Sequence, residues 1–433
     1  MSSGPPRQIA INAQLNPTGA GGVETNLLSM LQALAPGDES FGVSLLALPR
    51  YVEDFKKVAG FARIMPWTLG QMPAGAIRPP FRSERVVRRA LGPRAELVDA
   101  AASALLRARY GRVPDDISSP IFQSLRKARV SAVHFPAPQL FDTSLPFIFE
   151  PWDLQYLHYP QFFTEAEFLM RDRTYRRGCR RATLILTATE WVKNDIVEKF
   201  GISPHKVVTI PRSSLIAREE LTEEQARAEL GRVGVTGEFI FYPAMCFEHK
   251  NHLRLLRALA MLRDREGMEI PLVLSGRPHK PFLPVVLKAI SDLKLERQVK
   301  LLGVVSHATL AALYRETRFM VFPSLFEGLG LPVLEAFHHG TPVLAARETC
   351  LPEVIGDAGV LFDARSEDAI ACAVAQAWRS RDMMLGLAIK GRARLDVFSW
   401  QNGRVLLNAC YKHVLGVAMN DDEAHAFVRA AAA

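Results

Sequence analysis

Cysteine is scarce in this 433-residue chain. The five present (Cys179, Cys246, Cys350, Cys372 and Cys410) are scattered, odd in number and without a Cys-x-x-Cys pair. A disulfide framework and a paired-thiolate zinc site are thereby excluded, and reduced thiols of a cytoplasmic protein are expected. No apolar run approaches the roughly 20 residues that a membrane-spanning helix needs. The N-terminus shows no basic segment followed by a long apolar stretch, so no secretory signal is expected. Asp-x-Asp, a common acidic metal motif, is absent, as are internal repeats.

What is there describes a large, well-packed protein. Hydrophobic residues make up 48% and mean hydropathy is +0.05, which excludes disorder. A chain of this length exceeds one ordinary core, so two domains are the default. The boundaries expected are 1–217, with a C-terminal segment 398–433 crossing back to it, and 218–397. Residues 8–211 alternate strand-like and helix-like stretches, the pattern of a parallel α/β domain. A polar stretch from Arg218 to Glu229 reads as a linker. A second alternation then runs through strands at 239–242, 272–274, 300–302, 319–322 and 343–345. The region from about Arg50 to Ala128 interrupts the first rhythm with proline, glycine and arginine.

The densest information lies between Phe319 and Thr341. A short apolar strand ends at Pro323-Ser324, a turn carries Gly328 and Gly330, and Pro332 opens a helix that Gly340 closes. Strand, glycine turn and helix N-terminus together cradle phosphate, because backbone amides and the helix dipole converge on an anion. Glu327 and Glu335 bracket the turn. Phosphate repels carboxylates, so the pair implies neutral hydroxyls nearby, as a nucleotide sugar provides with diphosphate between two sugars.

This segment closely resembles the Glu-x7-Glu motif of the retaining glycosyltransferases of family four, and the likeness spans nearly the whole chain, most weakly at 50–128. The resemblance implies an α/β GT-B fold: two doubly wound, Rossmann-like domains facing across a donor-binding cleft. It assigns the ribose to Glu335 and the transferred sugar to Glu327, helped by amides from Gly328, Leu329, Gly330 and Leu331. Gly21 and Gly22, in the loop after the first strand, resemble the family's Gly-Gly loop over the diphosphate. Lys250, in Glu248-His249-Lys250-Asn251-His252, matches the lysine that neutralises the leaving group. The family's companion arginine is missing around Ala244-Met245-Cys246, and Arg212 or Arg277 is expected to stand in. Near Glu150-Pro151-Trp152-Asp153, the family's histidine is replaced by Trp152. The base is then Asp153, His158 or the departing phosphate itself.

The resemblance thus implies a retaining hexosyltransferase, leaning weakly to mannose and surface polysaccharide assembly, with a glycan or lipid-linked glycan as acceptor. No cofactor is expected, and no metal. The alternatives are a catalytically silent nucleotide-sugar binder and a GT-B sugar-nucleotide epimerase. Nine arginines between Arg78 and Arg112 (78, 82, 85, 88, 89, 94, 107, 109 and 112), interleaved with apolar residues, form a basic amphipathic stretch. It offers an anionic-membrane surface at the inner face of the membrane, an acceptor grip or a solvated face. No nucleic-acid module accompanies this charge, so no nucleic-acid partner is expected.

Overall fold

A computed structural model describes residues 6–16, 22–35, 38–66, 120–213 and 221–432. Gly21 and the arginine-rich stretch 78–112 lie outside the described residues.

Thirteen described strands form two all-parallel sheets. The first holds β1 (Arg7–Ala13), β2 (Phe41–Ala47), β3 (Arg63–Pro66), β4 (Val130–Phe135), β5 (Phe147–Phe149), β6 (Leu184–Thr187) and β7 (Val207–Thr209). Its order is β3-β2-β1-β4-β5-β6-β7. The second holds β8 (Ile240–Pro243), β9 (Leu272–Ser275), β10 (Val299–Leu301), β11 (Met320–Phe322), β12 (Val343–Ala346) and β13 (Gly359–Phe362). Its order is β10-β9-β8-β11-β12-β13. In both, the first strand of the unit lies centrally and the order reverses beside it, creating a crevice at the carboxyl ends where α/β sheets bind ligands. Helices cover both faces, so the central strands read as continuous apolar runs. Met320, Val321 and Phe322 are fully buried.

Where the local pattern is strong, the helices follow it. Thr189 caps the helix Glu190–Phe200, which Gly201 ends at φ 64°. Pro332 sits within the first turn of Leu331–His338. Other elements depart from the sequence reading. The interruption after Arg50 contains a helix, Val52–Val58, and the edge strand β3. With a single neighbouring strand, β3 leaves its side chains half-exposed or exposed and carries no clear alternation. Part of the expected linker is a helix, Glu223–Arg232, started by a Thr222–Gln225 capping box and seated by Ala226 and Leu230. The helix Glu165–Arg181 has no apolar stripe to announce it; Asp172, Tyr175, Gly178 and Cys179 form its buried face.

The helix Trp400–Leu415 packs Trp400, Leu407, Tyr411 and Leu415 into the core beneath the first sheet, with Ile9, Ile11 and Leu31. Buried Lys412 there bonds Glu423 at 2.8 Å and Asp38 at 2.9 Å. Tyr411 carries the hydroxyl at one end of a buried chain: its oxygen lies 2.9 Å from His134 Nδ1, and His134 Nε2 lies 3.0 Å from Glu150.

Candidate active site

The second sheet builds one wall of the site. β11 ends at Phe322, and the loop 323–330 crosses the crevice before the helix Leu331–His338 begins. Two of its glycines have specific reasons. Gly330 holds φ at +76°, where a side chain is strained, and a Cβ there would approach Leu351 Cδ2 to 2.9 Å. At Gly328 an added Cβ would lie 2.7 Å from the Trp152 carbonyl oxygen and 3.2 Å from Asp153 Cβ. Glycine at 328 therefore lets the opposite unit press its backbone against the loop.

Glu327 and Lys250 meet in this crevice. The lysine ends the short 3-10 turn Glu248–Lys250 after β8, and its Nζ lies 2.5 Å from Glu327 Oε1. Their side chains are only 16% and 12% exposed, so the pair is largely withdrawn from water. The ammonium also lies 5.5 Å from the centre of the Phe322 ring, a cation–π distance. Thr349 holds the Glu327 backbone from behind, accepting from its N–H at 3.1 Å and donating to its carbonyl at 3.0 Å. Glu335 lies one helical turn beyond the glycines, half-buried, and its Oε2 accepts the Tyr314 hydroxyl at 2.9 Å. Burial raises the Glu335 pKa above the ordinary carboxyl value, against the Tyr314 hydrogen bond.

The first sheet supplies the other wall. Asp153 faces Gly328, and its carboxyl accepts from Gln155 N at 3.0 Å. Its pKa is raised, mainly by burial and further by the charge of Glu327, while Arg171 and Lys250 pull it down. Trp152 adopts φ 72°, rare for a bulky residue, with its indole N–H donating to Pro136 O at 2.8 Å. The Trp152 side chain is thus tied to its own unit, and its backbone carbonyl faces the loop 323–330. His158 lies behind Phe326, 5.1 Å between ring centroids, and its Nε2 is 2.9 Å from both Asp195 carboxylate oxygens. Only Nδ1 is left to meet a substrate proton. Gly22 opens the helix Gly22–Leu34, and a Cβ on it would meet Leu331 Cδ1 at 3.8 Å. Gly22, Trp152, Asp153, Gly328 and Leu331 are therefore one neighbourhood, to which Lys250 joins through Glu327.

One expectation changes. Arg212 does not stand in for the missing arginine: it is buried, with Nη2 2.7 Å from Glu150 Oε2, inside the His134–Tyr411 chain. Burial pushes the Glu150 pKa up, but Arg212 and His134 outweigh it and hold Glu150 ionised. Arg277 is exposed on the loop after β9. Lys250 forms its ion pair with Glu327.

Arg171 is a cation the sequence did not single out. Its Nη1 donates to Tyr175 OH at 3.4 Å, its guanidinium lies 4.9 Å from the Phe163 ring centre, and its buried Nε has no partner among the described residues. It stands close enough to Asp153 to lower that pKa. No local pattern marks it, because an Arg at i with a Tyr at i+4 is ordinary on any helix.

The histidines near Lys250 show no metal geometry. Burial lowers His249, and pushes His252 down to about 3, so both are neutral. Among the described residues, no group of three or more His, Cys, Asp or Glu is arranged to hold a metal ion. No helix of the described residues is long and apolar enough to cross a membrane.

Residues 225–394 match the family described as Glycosyl transferases group 1. An O-antigen chain mannosyltransferase B from Escherichia coli is 28% identical over 260 residues, 58% of this chain and 66% of that protein. An MMP alpha-(1->4)-mannosyltransferase from Mycolicibacterium hassiacum is 28% identical over 244 residues, 55% of this chain and 56% of that protein. The chain thus spans less than two thirds of the length of these curated relatives. Among solved structures, Anabaena HepE in complex with UDP and glucose superposes with a TM-score of 0.68 at 16% identity, over 94% of this chain and 100% of that one. The likeness at this identity is one of fold, and the shared fold is GT-B.

Proposed function

We propose the following reaction for this chain, whose residues 225–394 match the group 1 glycosyltransferases: transfer of a hexose, mannose before others, from a nucleotide diphosphate sugar to a hydroxyl of a glycan or lipid-linked glycan, with retention at the anomeric carbon. The observation that carries it is the Lys250–Glu327 pair at the carboxyl end of β11, one glycine turn before Glu335. Mannose is favoured because the mannosyltransferases above are similar over half of the chain or more.

In this reading Glu335 accepts from the two ribose hydroxyls, and amides at Gly328–Leu331 and the helix behind them receive the diphosphate. Gly21 and Gly22 close over it from the other unit. Donor arrival draws Lys250 from Glu327 towards the phosphates, which frees Glu327 for the transferred sugar. The C1–O bond to phosphate breaks as the acceptor oxygen bonds to C1 on the same face. The acceptor proton passes to the departing phosphate oxygen, to Asp153 or to Nδ1 of His158. An ionised diphosphate leaves, stabilised by Lys250 and backbone amides where water is largely excluded. Arg171 supplies a cation on the acceptor side. The charges this chemistry needs are all present as side chains and helix dipoles, so no metal or cofactor is proposed.

The missing arginine and the occupied Lys250 favour a second reading, a nucleotide-sugar binder without turnover. Thermal shift with GDP- and UDP-sugars tests binding, since a ligand of the native state raises Tm. Release of nucleoside diphosphate with a panel of acceptors, and NMR of the product anomer, test the rest. Donor binding without release of nucleoside diphosphate favours the silent reading; an inverted product overturns retention.

A further inference from the structure

The helix Glu190–Phe200 belongs to the first unit, yet its N-terminus is completed by the second. An α-helix begins with four N–H groups that have no partner within it. Here Glu353 Oε1 accepts from Glu190 N, and Glu353 Oε2 accepts from Trp191 N, both at 2.9 Å. Thr189 Oγ1 takes Val192 N at 3.4 Å and donates its own hydrogen across the cleft to Gly328 O at 3.0 Å. Thr189 is fully buried in this contact. Glu353 stands on the short helix Leu351–Ile355, whose preceding residues Thr349 and Cys350 both donate to the Glu327 carbonyl, at 3.0 and 3.2 Å.

These bonds close a ring. From the helix N-terminus one arm runs through Thr189 to the carbonyl of Gly328. The other runs through Glu353, its helix and Thr349 to the backbone of Glu327. Phe326, next in the same loop, packs on Trp191 and His158 of the first unit at 5.5 and 5.1 Å between centroids. Three consecutive residues of the donor loop are therefore gripped, directly or through one helix, from a single helix end on the opposite unit.

We infer that Glu353 and Thr189 are positioning residues that make the placement of Glu327 conditional on closure of the two units. The inference rests on the reading of Glu327 as the residue that meets the transferred sugar. When the units separate, the ring opens at two points only, the Glu353 bonds and the Thr189–Gly328 bond. The helix then loses the carboxylate that satisfies its first two N–H groups, and the loop loses its frame. Glu335 and Tyr314 lie wholly within the second unit and keep their geometry in either state, so capture of the nucleoside through its ribose does not need the ring. The nucleoside diphosphate thus binds first, and the ring assembles the reacting residues afterwards.

The test compares Glu353→Gln, Glu353→Ala, Thr189→Val and Thr189→Ser in the full chain, with GDP and UDP as binding probes and GDP- or UDP-hexose turnover as the reaction. Glu353→Ala and Thr189→Val are expected to lower kcat at least tenfold while nucleoside diphosphate Kd changes less than threefold. Thr189→Ser keeps the hydroxyl and is expected to restore kcat to within threefold of the unsubstituted chain. Small-angle scattering with saturating nucleotide is expected to show the Glu353→Ala protein more extended than the parent. Parallel loss of kcat and nucleotide affinity, or kcat unchanged in folded Glu353→Ala, overturns the inference. A parent protein that binds donor but turns over none defeats the proposed transfer instead, and the scattering comparison then decides the ring by itself: equal dimensions for parent and Glu353→Ala overturn it.

Discussion

Lys250 Nζ lies 2.5 Å from Glu327 Oε1, joining two loops 77 positions apart in the chain. Each residue is the other's solution to burial, since an ion withdrawn from water needs a partner at contact distance. In the proposed reaction a donor diphosphate competes for the ammonium and leaves the glutamate free for a sugar hydroxyl. Lys250→Met removes the cation and strands a half-buried carboxylate. At about 1.5–3 kcal/mol for a charge-assisted bond, nucleoside diphosphate affinity should fall roughly ten- to a hundredfold, measured by titration calorimetry. Glu327→Gln should instead spare nucleotide binding and lower kcat by at least tenfold, as expected of a group that matters most in the transition state. Turnover near that of the parent in Glu327→Gln would remove it from the reacting centre.

Glu335 should behave in the opposite way. On the ribose assignment proposed above, Glu335→Ala deletes the acceptor of both hydroxyls and should weaken nucleoside diphosphate and intact donor alike, well beyond tenfold, at about 1.5–3 kcal/mol per charge-assisted bond. Tyr314→Phe leaves the carboxylate in place but removes the hydroxyl that orients it. A loss of about 1 kcal/mol, near fivefold in Kd, is expected from one neutral donor. Equal affinity in a folded Glu335→Ala protein would place the ribose elsewhere.

Asp153 gives a pH dependence with a definite sign. Its pKa is raised above 3.8, chiefly by burial, so the folded state holds its proton more tightly than the unfolded chain does. Such a group contributes most to stability when protonated, below the unfolded value, and that contribution is lost as pH rises through the folded value. At neutral pH the raised pKa is a cost to the fold. Asp153→Asn should therefore raise Tm at pH 7 and lose that advantage as pH falls towards 4, followed by calorimetry. A gap in Tm that is constant across this range would mean that Asp153 titrates normally.

The arginine-rich stretch 78–112 allows a membrane test that does not depend on its conformation. If it grips an anionic surface, each arginine there contributes on the order of 1 kcal/mol. Replacing Arg85, Arg88 and Arg89 by Gln should release the protein from vesicles containing phosphatidylserine and leave nucleotide binding intact. Sedimentation of the parent should also weaken with salt, since exposed charges are screened beyond about 10 Å at 0.1 M. No sedimentation of the parent at low salt would dispose of the membrane role. Loss of transfer to a lipid-free acceptor in the triple variant would point to the acceptor grip.

The chain by itself determined the features whose causes are local. β8 and β11 were legible because a strand buried on both faces has to be apolar throughout, and Ile240–Tyr242 and Met320–Phe322 are. Thr189, Gly201, Pro332 and Gly330 mark element ends through their own backbone preferences, and the spacing of Glu327 and Glu335 follows from one loop and one helical turn. Strands β3 and β13 were missed because their side chains are mostly half-exposed or exposed, so no buried face imposes a pattern on them. Only the tertiary structure decided the partnerships. It committed Arg212 to Glu150, brought Arg171 towards Asp153, turned Trp152 away to Pro136 and set Glu353 on a helix 163 positions distant. None of these leaves a mark in neighbouring residues. Carboxylates, arginines and indoles bond whatever polar group the fold delivers to them, and that delivery depends on how two separately wound sheets come together.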